Sequence, residues 1–172
     1  MGRKRLKIVV DHRTVMLFLD VACELIDDPA LDVFPDSERH AARLLVMLAA
    51  IGEFQVLISA AQAARVIEAL EHHGVGPLAI HSIWESLEKA IRVFPDDAGV
   101  IDRSFSTGSG LPAELAILKA GAELAGANVV VSPLAGSDID MSANVVSCCG
   151  FFTEVKRRYG FDYAELAFEN MG

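Results

Sequence analysis

Apolar and polar residues follow two rhythms along this chain, and the switches between them predict its elements. Leu6-Lys7-Ile8-Val9-Val10 is a short, β-branched run that breaks at Asp11-His12-Arg13-Thr14. A run bounded in this way predicts a strand. Val15 to Ile26 follows with helical spacing and is broken by Asp27-Asp28-Pro29. Pro35-Asp36-Ser37-Glu38 starts a second helix, with Asp36 or Ser37 as its expected N-cap. That helix runs through Ala41, Leu44, Leu45, Leu48 and Ala49 to Gly52. Gln55-Val56-Leu57-Ile58 predicts a second strand, ending at Ser59, and the residues from Ser59 onward a third helix. His72-His73-Gly74 suits its C-terminus, where a glycine closes the helix and histidines meet the negative end of its dipole.

The second half repeats the pattern. Ile80 to Ala90 predicts a helix and Ile91-Arg92-Val93-Phe94 a short strand before Pro95-Asp96-Asp97. Ser104 to Gly110, rich in Ser, Thr and Gly, reads as a loop. Pro112, at a first helical position, leads a helix that ends at Ala125-Gly126-Ala127. Asn128-Val129-Val130-Val131 is a buried strand ending at Ser132-Pro133. Asn144-Val145-Val146 suits a last strand and Phe151 to Tyr159 a helix with a basic end. Strands alternating with helices predict an α/β protein, three layers α/β/α around a mainly parallel sheet. With no repeat, linker or low-complexity tract, one domain spanning 1–172 is expected, with its core in about 6–149 and a helical extension over 150–172.

Composition narrows this. At 172 residues and 52% hydrophobic, the chain is long enough to bury a core. Its apolar runs fall short of the roughly 20 residues that span a membrane, and no signal-peptide pattern opens it. A cytoplasmic protein without a membrane partner is the expectation. Cys23, Cys148 and Cys149 fit no disulfide framework or zinc spacing and read as buried thiols. The net charge of −9, from 15 basic and 24 acidic side chains, opposes non-specific nucleic-acid binding, whose affinity comes from Lys and Arg. Arg3-Lys4-Arg5 and Lys156-Arg157-Arg158 read as solvated faces.

The candidate chemistry lies at strand ends, because ligands of parallel sheets gather outside the strands' carboxyl ends. Asp11 ends the first strand, Glu114 stands near a helix start, and Asp138 and Asp140 follow the fourth strand. A parallel sheet brings all of them to one edge. Carboxylates gathered there repel one another unless a cation is present. Magnesium or manganese suits oxygen ligands and activates water for attack on a phosphodiester. The bland alternative is N-capping for Asp11 and Glu114 and a solvated turn for Asp138.

Three stretches in this order resemble the PIN-domain family of metal-dependent ribonucleases, which includes the toxins of many toxin–antitoxin pairs. They are Lys7–Met16, then Ala42–Leu45 and Gly52–Ser59 with Val66–Leu70, and Leu111–Glu114 with Ala125–Ser132. Together they cover most of residues 6–140. The resemblance implies a PIN-like fold, Asp11, Glu114 and Asp138 (or Asp140) as catalytic and metal-holding acids, and magnesium or manganese as cofactor. Thr14, Ser132, Arg13 and Arg65 would bind substrate or position water. The chain departs from the family at its second acid, where Arg65 stands. Arg65 would then pair with Asp11 or Asp138 and neutralise the edge without a metal.

Two functions follow from the resemblance. One is a metal-dependent endoribonuclease cutting single-stranded RNA with an atypical acid set. The other is an inactive PIN-like domain that binds RNA or a protein. An antitoxin partner and a homodimer, with Val15–Ile26 and Ala41–Ile51 as interface, are further implications. From the residues alone, an aspartate closing a first strand also suits a phosphotransferase, though those enzymes use Asp-x-Asp where this chain has Asp11-His12-Arg13. His12 is either a titrating site residue or a solvent-facing turn residue. Gly108-Ser109-Gly110 reads as a flexible loop.

Overall fold

The structure, a computed structural model, describes residues 5–23, 29–107, 110–136, 144–160 and 162–163. Among them a five-stranded, wholly parallel sheet runs in the order β3-β2-β1-β4-β5. The strands are β1 (Lys7–Val10), β2 (Gln55–Ser59), β3 (Ile91–Phe94), β4 (Val129–Val131) and β5 (Val145–Val146). Seven described helices flank it: α1 (His12–Cys23), α2 (Asp36–Ala50), α3 (Ala60–His72), α4 (Pro77–Leu87), α5 (Val100–Thr107), α6 (Ala113–Leu124) and α7 (Cys148–Tyr159). The fold is the expected α/β, with a sheet that is entirely rather than mainly parallel. No described helix is long and apolar enough to cross a membrane.

Period-two alternation explains the two faces. Ile8, Val10, Val56, Ile58, Val131 and Val146 point to one side and pack with side chains of α1, α2, α3, α4 and α7. Val9, Leu57, Val130 and Val145 point to the other and meet Leu115, Leu118 and Ala122 of α6. Strands buried on both faces read as continuous β-branched runs, as Ile8-Val9-Val10 and Val129-Val130-Val131 do. The second face is thinly covered: α6 lies on it and α5 packs against α6. The apolar faces of α1 and α2 are spent largely on each other and the sheet.

Several boundaries differ from the pattern reading. α1 starts at His12 rather than Val15, because Asp11 caps it. α2 starts at Asp36 with Pro35 before it and no side-chain cap, so neither Asp36 nor Ser37 is the N-cap. α4 starts at Pro77, where proline suits a first helical position. The largest difference is α5: residues 104–107, read as loop, are helical. Ser104 and Ser106 fold their hydroxyls back onto the carbonyls of Ile101 (2.6 Å) and Arg103 (2.9 Å), and packing against α6 holds this serine-rich stretch helical. α7 starts at Cys148, three residues early, for a reason that also lies elsewhere in the chain. Glu38 on α2 is buried, and its carboxylate accepts from the backbone N–H groups of Cys148 and of Cys149 (3.1 Å). Ser147 adds the local cap, accepting from Gly150 N at 3.0 Å.

Candidate functional site at the carboxyl edge of the sheet

Asp11 is fully buried where β1 ends. Its Oδ1 accepts from Thr14 N at 3.0 Å, the N-cap bond to the third residue of a helix. The same oxygen takes the Thr14 hydroxyl at 2.9 Å. Oδ2 accepts from Ser132 Oγ at 2.6 Å, and Ser132 in turn accepts from Leu134 N at 3.2 Å. Strand pairing produces this meeting. Val10 lies beside Val131 in register, so the next residues, Asp11 and Ser132, leave the sheet together. Thr14 and Ser132 are themselves fully buried. Their hydroxyls hold Asp11 and present no surface to a ligand.

Arg13 lies across the edge. Its Nη1 is 3.6 Å from Asp11 Oδ2 and 2.6 Å from Glu114 Oε1, and its Nη2 is 3.4 Å from Glu114 Oε2. Arg65 Nη1 reaches the same Glu114 Oε1 at 3.4 Å while half its side chain stays exposed. Glu114, in the first turn of α6, is therefore no cap: Pro112 holds that position. Its carboxyl is held below the ordinary carboxylate range, chiefly by the Arg13 hydrogen bond, against a desolvation that pushes the other way.

The sequence reading assigned the neutralising role to Arg65 against Asp11 or Asp138. The structure gives Arg65 to Glu114, and the guanidinium nearest Asp11 is Arg13. Asp138 and Asp140 lie outside the described residues, as do Gly108 and Ser109. Among the described residues no three His, Cys, Asp or Glu side chains are gathered as a metal group. Asp11 and Glu114 share one guanidinium, that of Arg13, Glu114 takes a second from Arg65, and Asp11 already accepts three hydrogen bonds. In this arrangement the described residues do not fit a divalent cation.

Gln62 is the site residue that the sequence reading missed. It is buried on α3, and its Oε1 accepts from His12 N at 2.9 Å and lies 2.8 Å from His12 Nδ1. A carbonyl oxygen can only accept, so His12 Nδ1 donates in this contact. The available signal was position: Ser59 caps α3 through Gln62 N (3.2 Å), which places Gln62 in the first turn at the sheet's carboxyl edge. Asp96 adds to this turn by accepting from Ala61 N at 2.9 Å. Away from the edge, burial and the Glu38 charge raise both described thiols, Cys148 strongly and Cys149 to about 11. The basic run on α7 is tied up by Glu154 and Asp162. No protein-family model matches the chain, and no curated relative matches it.

Proposed function

We propose that this protein is a PIN-like domain that binds single-stranded RNA at the carboxyl edge of its sheet and does not cut it. The observation that carries the reading is Arg13, whose guanidinium lies between Asp11 and Glu114 and supplies the counter-charge a metal would otherwise provide. Arg65 adds a second, half-exposed guanidinium beside it, suited to a phosphate oxygen. The net charge of −9 keeps the affinity modest. Two phosphate contacts on a single strand correspond to a salt slope of about −1.4 in log K.

A magnesium- or manganese-dependent endoribonuclease is the second reading. One observation favours it: Asp11 and Glu114, far apart in the chain, both contact Arg13 Nη1 at one edge. It requires Arg13 to leave both carboxylates and Asp138 or Asp140 to join them. Labelled single-stranded RNA incubated with the purified protein and either metal separates the readings. Retarded but intact RNA is expected. Cleavage that disappears in Glu114→Gln would overturn the non-cutting reading in favour of the nuclease.

A further inference from the structure

The thinly covered face of the sheet leaves a trough of about 280 Å³ between the ends of β2 and β3 and helix α6. Val9 lies in its floor, Phe94 and Pro95 form a ring-bearing wall, and Gly121 lines it from α6. Its rim carries Asp96 and Asp97 and no basic side chain, and Gln62 joins it to the edge described above. Gly121 lies on the α6 side of the trough. It stands inside a helix, where glycine lowers helical stability. Its backbone is ordinary, and a Cβ added there would meet no heavy atom within 4 Å. With no side chain at this position, the trough stays open along α6.

Resting on the reading that RNA is bound at this edge, we infer that the trough is a subsite for an amino-bearing nucleobase, adenine or cytosine. Bases of single strands are recognised by stacking on aromatic rings and by hydrogen bonds to their edges. Phe94 offers the ring. The Asp96 and Asp97 carboxylates each keep acceptor capacity beyond their bonds to Ala61 N and Gly99 N, and an exocyclic amino group donates to such acceptors. Uracil turns a carbonyl oxygen to the same place and is repelled. Gln62 has its oxygen committed to His12, which leaves its NH₂ to donate to a ring nitrogen. The phosphate end is supplied on the same two helices. Arg65 follows Gln62 by three residues on α3 and Glu114 precedes Ile117 by three on α6, so the Arg65–Glu114 pair stands one helical turn from the trough.

Fluorescence anisotropy with rA5 and rU5, and calorimetry with AMP, test this on the full chain. The expected result is binding of rA5 at least tenfold tighter than rU5, with AMP weaker than rA5. Gly121→Leu, which fills the trough while improving the helix, should bring rA5 down to the rU5 level. Asp97→Asn keeps an acceptor for Gly99 N but gives the rim a donor as well, so it should narrow the rA5-to-rU5 ratio to within about threefold. Equal binding of rA5 and rU5, unchanged by Gly121→Leu, would overturn the base subsite and leave RNA binding standing. AMP binding as tightly as rA5 would keep the subsite and overturn the RNA reading. No binding by any of the three overturns both.

Discussion

Replacing Asp11 should damage the fold before it damages any activity, and the size of the damage is set by its hydrogen bonds. In Asp11→Ala the Thr14 N–H loses its cap, which costs about 1 kcal/mol. The Ser132 hydroxyl loses a charged acceptor at 2.6 Å in a fully buried place, worth about 1.5–3 kcal/mol. Thr14 Oγ1 suffers less, because the Val131 carbonyl is already 3.3 Å away and can take its proton. Relief of a buried charge offsets part of the loss. The expected destabilisation is about 3 kcal/mol for Asp11→Ala, a large part of the 5–15 kcal/mol typical of a domain. Asp11→Asn keeps the oxygen that caps Thr14 and turns an NH₂ toward Ser132, so about 1–2 kcal/mol is expected. Urea unfolding followed by circular dichroism, with unchanged m-values, measures both. If Asp11→Ala lies within about 0.5 kcal/mol of the parent, or Asp11→Asn costs as much as Asp11→Ala, the assignment of Asp11 as a structural keystone of this edge is wrong.

Arg13→Ala should destabilise by about 1–2 kcal/mol at pH 7, since two carboxylates lose their shared donor. Glu114 has a depressed folded-state pKa, so its pairing contributes above the unfolded value near 4.5 and is lost as pH falls through the folded one; the gap between Arg13→Ala and the parent should therefore shrink in urea titrations below pH 4. A gap that stays constant would show that Arg13 acts by packing alone. Glu38→Gln leaves one of the N–H groups of Cys148 and Cys149 facing an NH₂, and thermal unfolding should fall by about 3–8 °C; an unchanged Tm would remove Glu38 as the cap of α7. Cys149, with its thiol raised to about 11, should react with iodoacetamide at pH 7.5 about 100-fold more slowly than in the urea-unfolded chain, read by peptide mass spectrometry, and equal rates would contradict its burial.

The sheet was readable because the strand runs are short and bounded: four apolar runs ending in polar residues, and Ile91–Phe94 stopped by Pro95, became five strands in the expected places. α5 was not, because its serines read as loop formers and its packing against α6 is a tertiary contact. Glu38 was open to detection and missed. It falls on the stripe of Ala42, Leu45 and Ala49, so an acid there had to be buried and partnered. Its partners are 110 residues away in sequence, and no local pattern names them. That Asp11 and Glu114 come to one edge was legible, but not how they are neutralised, and Asp138 and Asp140 lie outside the described residues. Choosing between Arg13 and Arg65 depends on which side of α1 and α3 faces α6, a tertiary matter that neither helix encodes alone.

That choice bears on how the edge behaves. Arg65 belongs to α3, and its bond to Glu114 joins two helices at a half-exposed surface, where such pairs contribute little. Arg13 is different, because it shares the first turn of α1 with the bond that caps the helix on Asp11. Backbone movement that separated Arg13 from Asp11 would also uncap α1, so only rotation of the Arg13 side chain can clear the edge. Glu114, by contrast, makes no bond to Asp11, so its side chain can turn away without disturbing the cap of α1. Under the proposed RNA reading, a phosphate would meet the half-exposed Arg65 first and compete with Glu114 for Arg13, while Asp11 stays buried beneath its two hydroxyls. In the proposed reading, Glu114 is the anion that a phosphate would displace from the two guanidiniums contacting it. Such an exchange is what the proposed binding of a strand requires, whereas the metal-dependent reading requires both guanidiniums to leave Glu114.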